Sequence, residues 1–484
     1  MQPENKSLLV QWAAHSRLPP SLQPALITAL KAYGLSWSMT TLPLLLGLVV
    51  KTLAGKTKQS ISQRRLLLDL QRVLRQSITQ NGLPYLIAGA LASHRFLSYA
   101  LNSLVARATH RPVEKVKNRV SQRSAIVLSA AVTMLSVKKA FPNTKTMDLT
   151  FFALVRALDV FAHRAYESHH VRQLVPNWML ECGSVGVFTV ACTEIMFSWF
   201  YEPTRLPKSY AQWITKMADM NPRLLEALRA IRAKKWIYGK DTGMAHLLHD
   251  YCVQLGLPPE LGDPVRGRIP CQIVHPGQTC ETNGITRFLK GFFKIFPLYF
   301  VVHFAPPLLL RPSRLASMPL TNILHILKAT VRSSTFLATF ITIIWYSVCL
   351  VRTRIGYQLL GVPQSRLDDT LAPFVGSALC GLSLLIETRH RRGEMALYVI
   401  PRALYSFIER VLGPHQRGRW WESLGAGTAE TLVFALSTMV VLDTMYKDRT
   451  TIRSSVRGLL SWIMKDELAT EKNGKTEKTN GKAE

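Results

Sequence analysis

Cysteine and histidine residues are concentrated in one hydrophilic stretch of the chain, at spacings that suit metal coordination. Two patterns occur there, H-x2-H-x2-C and C-x3-H-x4-C, made by His246, His249, Cys252, Cys271, His275 and Cys280. Thiolates and imidazoles at such spacings can supply the four ligands of a closed tetrahedral zinc site. We therefore predict zinc ligation by Cys252, Cys271, His275 and Cys280 and expect no other cofactor.

Two alternatives compete with zinc at these positions. Cys271 and Cys280 could form a small disulfide if the compartment is oxidising. All of these thiols and imidazoles could also be ordinary loop and surface groups, because the stretch lacks the paired C-x2-C knuckle found in many zinc sites. The spacing alone does not decide between these three interpretations.

Three charged side chains lie within or at the edges of apolar stretches, namely Arg156, Arg402 and Glu430. A charge at membrane depth is costly, so it should face the interior of a helix bundle or a watery cavity. We predict that the three line a polar pathway, in which Arg402 and Glu430 form an ion pair. Snorkelling of the long side chain towards the interface is the simpler alternative for Arg156 and Arg402.

Aromatic residues and a proline close one of the apolar stretches. The motif consists of Trp199, Tyr201, Glu202, Pro203, Tyr210 and Trp213. Indole and phenol rings suit the headgroup level of a bilayer, and proline ends a helix. The motif therefore predicts an interfacial anchor followed by a rigid turn, and a surface that contacts lipid or docks a partner is the alternative.

The motifs of common catalytic sites are missing from the sequence. It contains no G-x4-G-K-[ST], no G-x-S-x-G and no H-E-x-x-H. These patterns would indicate a phosphate-binding loop, a nucleophilic serine and a zinc-dependent hydrolase. We predict that the protein is not an enzyme.

Charge and apolarity are both high, and they are segregated along the chain. The 484 residues are 48% hydrophobic, yet they include 60 Lys and Arg against 30 Asp and Glu, a formal net charge of +30. Long apolar blocks alternate with short basic ones, which is typical of a chain solvated partly by hydrocarbon and partly by headgroups and water. We therefore expect membrane lipids and no nucleic acid as partners.

Eight stretches of about 17 to 25 mostly apolar residues are predicted to span a membrane. They lie near 38–54, 84–106, 123–141, 183–201, 289–310, 334–351, 371–387 and 424–443. Gly, Ala, Ser and Thr recur within them, and small residues allow helix backbones to approach closely in lipid. The sequence thus predicts an all-α, multi-pass helical membrane protein whose helices pack as a bundle.

Two parts of the chain align at an offset of roughly 246 residues, where Arg-Ala-Leu recurs at 156–158 and 402–404 and Arg164 matches Arg410. This alignment predicts a duplicated helical core, and chance similarity between apolar helices is the alternative. The predicted segments are an N-terminal region with two membrane helices (1–115), a first membrane repeat (116–215), a hydrophilic Cys/His region with one membrane helix (216–330), a second repeat (331–450) and a disordered polar tail (451–484).

Three motifs, in this order along the chain, resemble the transmembrane protein 135 family. They are FSWFYEP-x2-LPKSY-x2-WI at 197–214, PC-x3-HP-x3-C at 270–280 and E-x-ALYV-x-PRA at 394–403. The resemblance implies a multi-pass protein of peroxisomal and mitochondrial membranes, with a more distant similarity to mitochondrial Tim translocases. It brings no catalytic residues, and the early region of this chain has fewer cysteines than metazoan relatives of that family.

From these observations we expect a membrane protein of peroxisomes or mitochondria that influences organelle organisation and lipid metabolism without catalysis. It would act through packing and through contacts with membrane lipids and organelle-membrane proteins, as a single chain or a homo-oligomer. The alternative is a transporter or translocase that passes fatty-acyl compounds or a polypeptide between the two membrane repeats.

Overall fold

Helices account for nearly all of the regular structure of this chain. The computed structural model describes residues 22–55, 63–109, 119–168, 173, 176–310, 317–412 and 426–465. Within these ranges the chain forms helices and turns and no strand, which confirms the all-α prediction. The chain divides into two units, Met1–Arg172 with Arg417–Glu484 (unit 1) and Gln173–Gln416 (unit 2).

Unit 1 has an apolar core between long helices. Among its described residues these are Gln23–Gly55 (α1), Gln63–Thr79 (α2), Leu83–Thr109 (α3), Arg119–Ala140 (α4), Met147–Glu167 (α5), Ala426–Lys447 (α15) and Ser454–Ile463 (α16). α3 packs against α1 and α4, while α15 packs against α4 and α5. Leu86, Met134 and Phe434 are buried where α3, α4 and α15 meet.

Unit 2 combines long apolar helices with a hydrophilic segment of short ones. Its described helices are Asn177–Tyr201 (α6), Lys208–Ala218 (α7), Pro222–Arg232 (α8), His246–Gln254 (α9), Cys271–Val274 (α10), Cys280–Leu310 (α11), Pro319–Leu350 (α12), Gln364–Ile386 (α13) and Arg389–Leu412 (α14). α12 continues as a π-helix over Val351–Leu359. α11 packs along α12, and α6 packs against α13 and α14.

Five of the described helical segments are long and apolar enough to cross a bilayer. They are Cys182–Tyr201, Cys280–Ala305, Pro319–Leu359, Gln364–Ile386 and Gly427–Lys447. Phe293 and Leu320 on two of them are 71% and 72% exposed, which suits side chains that face hydrocarbon. The prediction of a multi-pass membrane protein is confirmed, and the predicted spans near 38–54, 84–106 and 123–141 fall in α1, α3 and α4.

Polar side chains join the long helices α6 and α14 of unit 2. Ser198 Oγ lies 2.7 Å from Ser406 Oγ, and Ser406 Oγ donates to Glu194 Oε1 at 2.8 Å. Arg410 Nη2 pairs with the same Glu194 oxygen at 3.1 Å. Hydrogen bonds between helices stabilise a bundle in lipid, where apolar burial does not drive association.

The order of elements repeats along the chain with a constant shift. A shift of 246 residues carries the 3-10 turn Pro203–Arg205 onto the 3-10 turn Arg449–Thr451. The same shift carries α7 onto α16 and α4 onto α13, with bounds that agree within one residue. α5 and α6 fall on α14 and α15 with bounds that agree within about four residues.

Contacts that correspond under this shift occur in the two units with the partners exchanged. In unit 1, Arg164 Nη2 on α5 donates to Thr444 Oγ1 on α15 at 2.8 Å. In unit 2, Arg410 Nη2 on α14 donates to Ser198 Oγ on α6 at 3.1 Å. α15 therefore packs on α4 and α5, whereas α6, which follows α5 in the chain, packs on α13 and α14.

Two predicted segment boundaries are wrong. The predicted repeat 116–215 is divided, because α4 and α5 belong to unit 1 and α6 belongs to unit 2. The predicted disordered tail 451–484 includes α16, whose Leu460 and Ile463 are buried in the core of unit 1. These apolar residues recur at helical spacing and give α16 a face to bury, while residues 466–484 lie outside the described part of the chain.

Close backbone approach at glycine lets α13 pack on its neighbours. A Cβ atom added at Gly381 would lie 2.5 Å from Thr189 Cα on α6, and one added at Gly376 would lie 2.9 Å from the Ile344 carbonyl oxygen on α12. Both neighbouring atoms belong to backbone, which cannot move aside without shifting a whole helix. Hydrogen at these positions therefore sets the distance between the helices.

The substitution Gly381→Val should push α13 away from α6 and lower the free energy of unfolding by about 1–3 kcal/mol, the usual cost of overpacking. Gly186→Val on α6 is the matched control, because a Cβ at Gly186 meets no atom within 4 Å. Denaturant titration of the purified protein in detergent measures both. Equal loss in the two variants would contradict the role assigned to Gly381.

Candidate functional site

A large apolar cavity lies within unit 2, between α6, α7, α11, α12 and α14. Its volume is about 810 Å³. Aromatic and aliphatic side chains form most of its wall, and Phe188 on α6 meets Phe336 and Phe340 of α12 edge to face at centroid distances of 5.9 and 6.4 Å. Cavities of this size and character are the usual sites for small apolar ligands.

One side of the cavity carries charged and polar groups. Arg391, Glu394 and Arg402 of α14 line it together with Tyr210 of α7. The Arg402 guanidinium lies over the Tyr210 ring at 5.8 Å from its centroid. Burial raises the pKa of Tyr210, so its hydroxyl stays neutral and able to donate a hydrogen bond. An amphipathic molecule could place its chain on the apolar wall and its polar head here.

Arg391 is held at the cavity by a polar cluster between α12 and α14. Its Nη1 donates to Ser333 Oγ at 2.9 Å and lies 3.6 Å from Glu387 Oε2. Ser333 Oγ in turn donates to Glu387 Oε1 at 2.5 Å. Since the Glu387 side chain is fully buried, the Arg391 cation compensates a charge that would otherwise be costly to bury.

The prediction of an interfacial aromatic anchor is wrong for its two largest members on α6. Trp199 is 1% exposed, and its indole nitrogen donates to Thr215 Oγ1 at 3.0 Å. Tyr201 is also buried and donates to the Asp368 carbonyl oxygen at 2.9 Å. Both rings find hydrogen-bond partners inside the protein and pack in its core, so they cannot reach lipid headgroups.

The remaining residues of that motif lie at the end of α6 and on α7. Pro203 begins a 3-10 turn directly after α6, as the predicted rigid turn requires, and Glu202 pairs with Arg205 of the same turn. Tyr210 and Trp213 stack with their ring centroids 6.0 Å apart and line the cavity. Trp213 is 38% exposed, which makes it the member of the motif that suits a boundary.

The residues of the predicted polar pathway are distributed over the two units. In unit 1, Glu430 accepts from Lys138 Nζ at 2.6 Å, from Thr146 Oγ1 at 2.7 Å and from Thr150 Oγ1 at 3.2 Å. The structure thus gives Glu430 a basic partner, Lys138, that the sequence did not single out.

The two arginines of that prediction each lie over an aromatic ring. Arg156 in unit 1 lies over the Phe152 ring at 5.1 Å, and Arg402 belongs to unit 2, where it lines the apolar cavity. The ion pair between Arg402 and Glu430 stays a prediction, and Arg402 gains a definite setting beside Tyr210.

Four potential metal ligands converge near the cytoplasm-like, hydrophilic end of unit 2. The ligand atoms of Cys271, His275, Cys280 and Cys349 all lie within 4.8 Å of one another. Cys271 and Cys280 begin α10 and α11, and Cys349 is near the end of α12. The pKa of Cys271 falls to about 5, because a hydrogen bond with Cys349 and the positive charges of Arg352 and His275 stabilise its thiolate against the opposing effect of burial.

Cys252 does not belong to this cluster, so that predicted ligand is wrong. Its side chain is fully buried in the core of unit 2, and a Cβ atom added at Gly262 would lie 3.1 Å from its sulfur. Cys349 takes its place among the four. It is one cysteine within a long apolar helix and has no spacing relation to the others, so no sequence signal identified it.

A buried ion pair holds the segment that leads into the cluster. The Arg352 guanidinium pairs with Asp368, and its Nη2 also donates to the Ile269 carbonyl oxygen at 2.7 Å. Tyr238 donates to Asp368 Oδ2 at 2.6 Å, and burial raises the pKa of Tyr238 so that it keeps this proton. These bonds fix the backbone just before Cys271 against the end of α12.

Comparisons of the chain with protein-family models, with curated proteins and with solved structures find no match. The fold defines the class of the protein, a multi-pass helical membrane protein.

Replacing Asp368 with Asn should leave the Arg352 cation buried without its counter-charge and lower the free energy of unfolding by about 3–5 kcal/mol. Asp369→Asn is the matched control, because Asp369 pairs at 3.0 Å with Lys234, whose side chain is 72% exposed, and such pairs contribute about 0–1 kcal/mol. Denaturant titration in detergent measures both variants. Similar losses at the two positions would refute the assigned role of the buried pair.

Proposed function

We propose that this chain is a peroxisomal or mitochondrial membrane protein that binds a long-chain acyl compound in the cavity of unit 2. Through this binding it would influence lipid metabolism and organelle organisation without catalysing a reaction. The observation that carries the proposal is the apolar cavity with arginines and a tyrosine on one side. The choice of organelle rests on the sequence motifs at 197–214, 270–280 and 394–403.

The size and wall of the cavity support an acyl chain as the ligand. Its volume of about 810 Å³ lies within the range of roughly 300–1,000 Å³ typical of small-molecule sites. The wall is formed by long helices that also present apolar side chains to the outside. An acyl chain could therefore enter from the bilayer without passing through water.

The polar side of the cavity supports selectivity for an anionic headgroup. An acyl chain is solvated almost equally well by the bilayer and by the cavity wall, so apolar contacts alone give little preference for the bound state. Arg402 and Tyr210 can supply charge-assisted and neutral hydrogen bonds to a carboxylate, and such bonds are worth about 1.5–3 kcal/mol each when charged. The headgroup contacts would thus decide which lipid binds.

Binding of radiolabelled palmitate to the purified full chain tests this proposal. Arg402→Gln should weaken binding about tenfold or more, the equivalent of one charged hydrogen bond. Leu337→Trp should abolish binding by filling the cavity, which Leu337 lines.

Arg266→Gln is the control for the loss of one positive charge, because Arg266 is exposed and pairs only loosely with Glu260, at 3.4 Å. Unchanged affinity in both cavity variants, with thermal stability preserved, would refute the assigned ligand site.

A transporter is the second candidate, and we propose a duplicated core as its basis. What supports duplication is the shift of 246 residues between corresponding helices, together with the corresponding hydrogen bonds of Arg164 and Arg410. Internal repeats are common in secondary transporters. Palmitate flux across reconstituted vesicles that Arg402→Gln abolishes would favour this candidate, whereas binding without flux would favour a lipid-binding role.

The location of the protein in cells tests the organelle part of the proposal. A tagged copy should coincide with peroxisomal or mitochondrial markers, and loss of the gene should change the number or shape of those organelles. Residence confined to the endoplasmic reticulum or the plasma membrane, with normal organelles, would contradict it.

A further inference from the structure

Three cysteines and one histidine come together in unit 2 from parts of the chain that are far apart in sequence. Cys271, His275 and Cys280 come from α10 and its flanking turns up to the start of α11, and Cys349 comes from α12, 69 residues beyond Cys280. Among the described residues, no other group of three or more His, Cys, Asp and Glu side chains gathers its ligand atoms so closely. This arrangement is therefore not a by-product of local sequence.

The geometry points to a structural Zn²⁺ site formed by Cys271, His275, Cys280 and Cys349. Zinc bonds of about 2.3 Å to sulfur and about 2.0–2.1 Å to nitrogen place neighbouring tetrahedral ligands roughly 3.5–3.8 Å apart. His275 Nε2 lies 3.6 Å from Cys280 Sγ and 3.9 Å from Cys349 Sγ. All four ligand atoms fall within 4.8 Å of one another, so small side-chain adjustments suffice to complete the tetrahedron.

The outer hydrogen bond of His275 supports this assignment. Its Nδ1 lies 2.8 Å from the Gln278 carbonyl oxygen, and a carbonyl can only accept, so Nδ1 carries the proton. The lone pair of Nε2 then points towards the three sulfurs. Zinc-ligating histidines commonly have such a carbonyl or carboxylate partner, which fixes the tautomer and the orientation of the ring.

The ligand set favours zinc in a closed site over the other chemistries of these residues. Three thiolates and one imidazole form one of the usual ligand sets of structural zinc and leave no position for a water molecule or a substrate. A disulfide would use two of the three cysteines and leave the third thiol and His275 without a covalent or metal partner. The complete set of four thus has a use only when a metal is bound.

A zinc ion here would connect the hydrophilic segment of unit 2 to a membrane-spanning helix. Cys271 and His275 belong to the hydrophilic segment, while Cys349 lies in the span Pro319–Leu359. The Arg352 bond to the Ile269 carbonyl oxygen already draws these parts together. The metal would fix the start of α11 and the end of α12 in the same place.

Metal analysis of the purified full chain by inductively coupled plasma mass spectrometry tests the assignment. We expect about one zinc ion per chain, lost in Cys349→Ser and retained in Cys252→Ser, the matched control in which a buried cysteine outside the cluster is replaced. His275→Cys should retain zinc because four thiolates also bind it, whereas His275→Ala should lose it.

A second measurement keeps the assignment testable if Cys349→Ser fails to fold. The wild-type chain loaded with Co²⁺ should show the absorption bands of tetrahedral cobalt and of thiolate-to-metal charge transfer, and zinc should displace them. A wild-type chain free of metal would overturn the assignment, whether its cysteines alkylate as free thiols or two of them are found in a disulfide. Zinc retained in Cys349→Ser would overturn it as well.

Discussion

Association between helices in lipid has to come from something other than apolar burial, because hydrocarbon solvates an apolar helix as well as another helix does. The fold of this chain depends on meeting that constraint. Backbone approach at Gly381 and the hydrogen bonds of Ser198, Ser406 and Arg410 bring α6, α13 and α14 together. These are directional or short-range contacts, so they fix one arrangement of the helices rather than a loose bundle.

The same constraint explains why the candidate sites are formed where they are. Each buried charge in unit 2 needs a partner, and the pairs Arg352–Asp368 and Arg391–Glu387 connect different helical segments. One pair leads into the cysteine cluster, and the other lies beside the apolar cavity. The polar contacts that hold the bundle in lipid thus also position its two chemically distinctive regions.

Local patterns in the sequence were sufficient for the helical class, the apolar spans and three of the four clustered ligands, because each depends on residues close together in the chain. Cys349 and Lys138 were missed because their partners are distant in sequence and no spacing relates them. Trp199 was misassigned because a hydrogen bond to Thr215 inside the protein satisfies its indole, and composition cannot distinguish this from an interfacial site.

Native mass spectrometry of the full chain released from detergent micelles tests the central claim, that the cavity of unit 2 holds one anionic acyl lipid. The account predicts a single lipid adduct that survives the activation needed to strip bulk lipid and that disappears when Leu337→Trp fills the cavity. Absence of any discrete adduct, or the same adduct in both proteins, would contradict it.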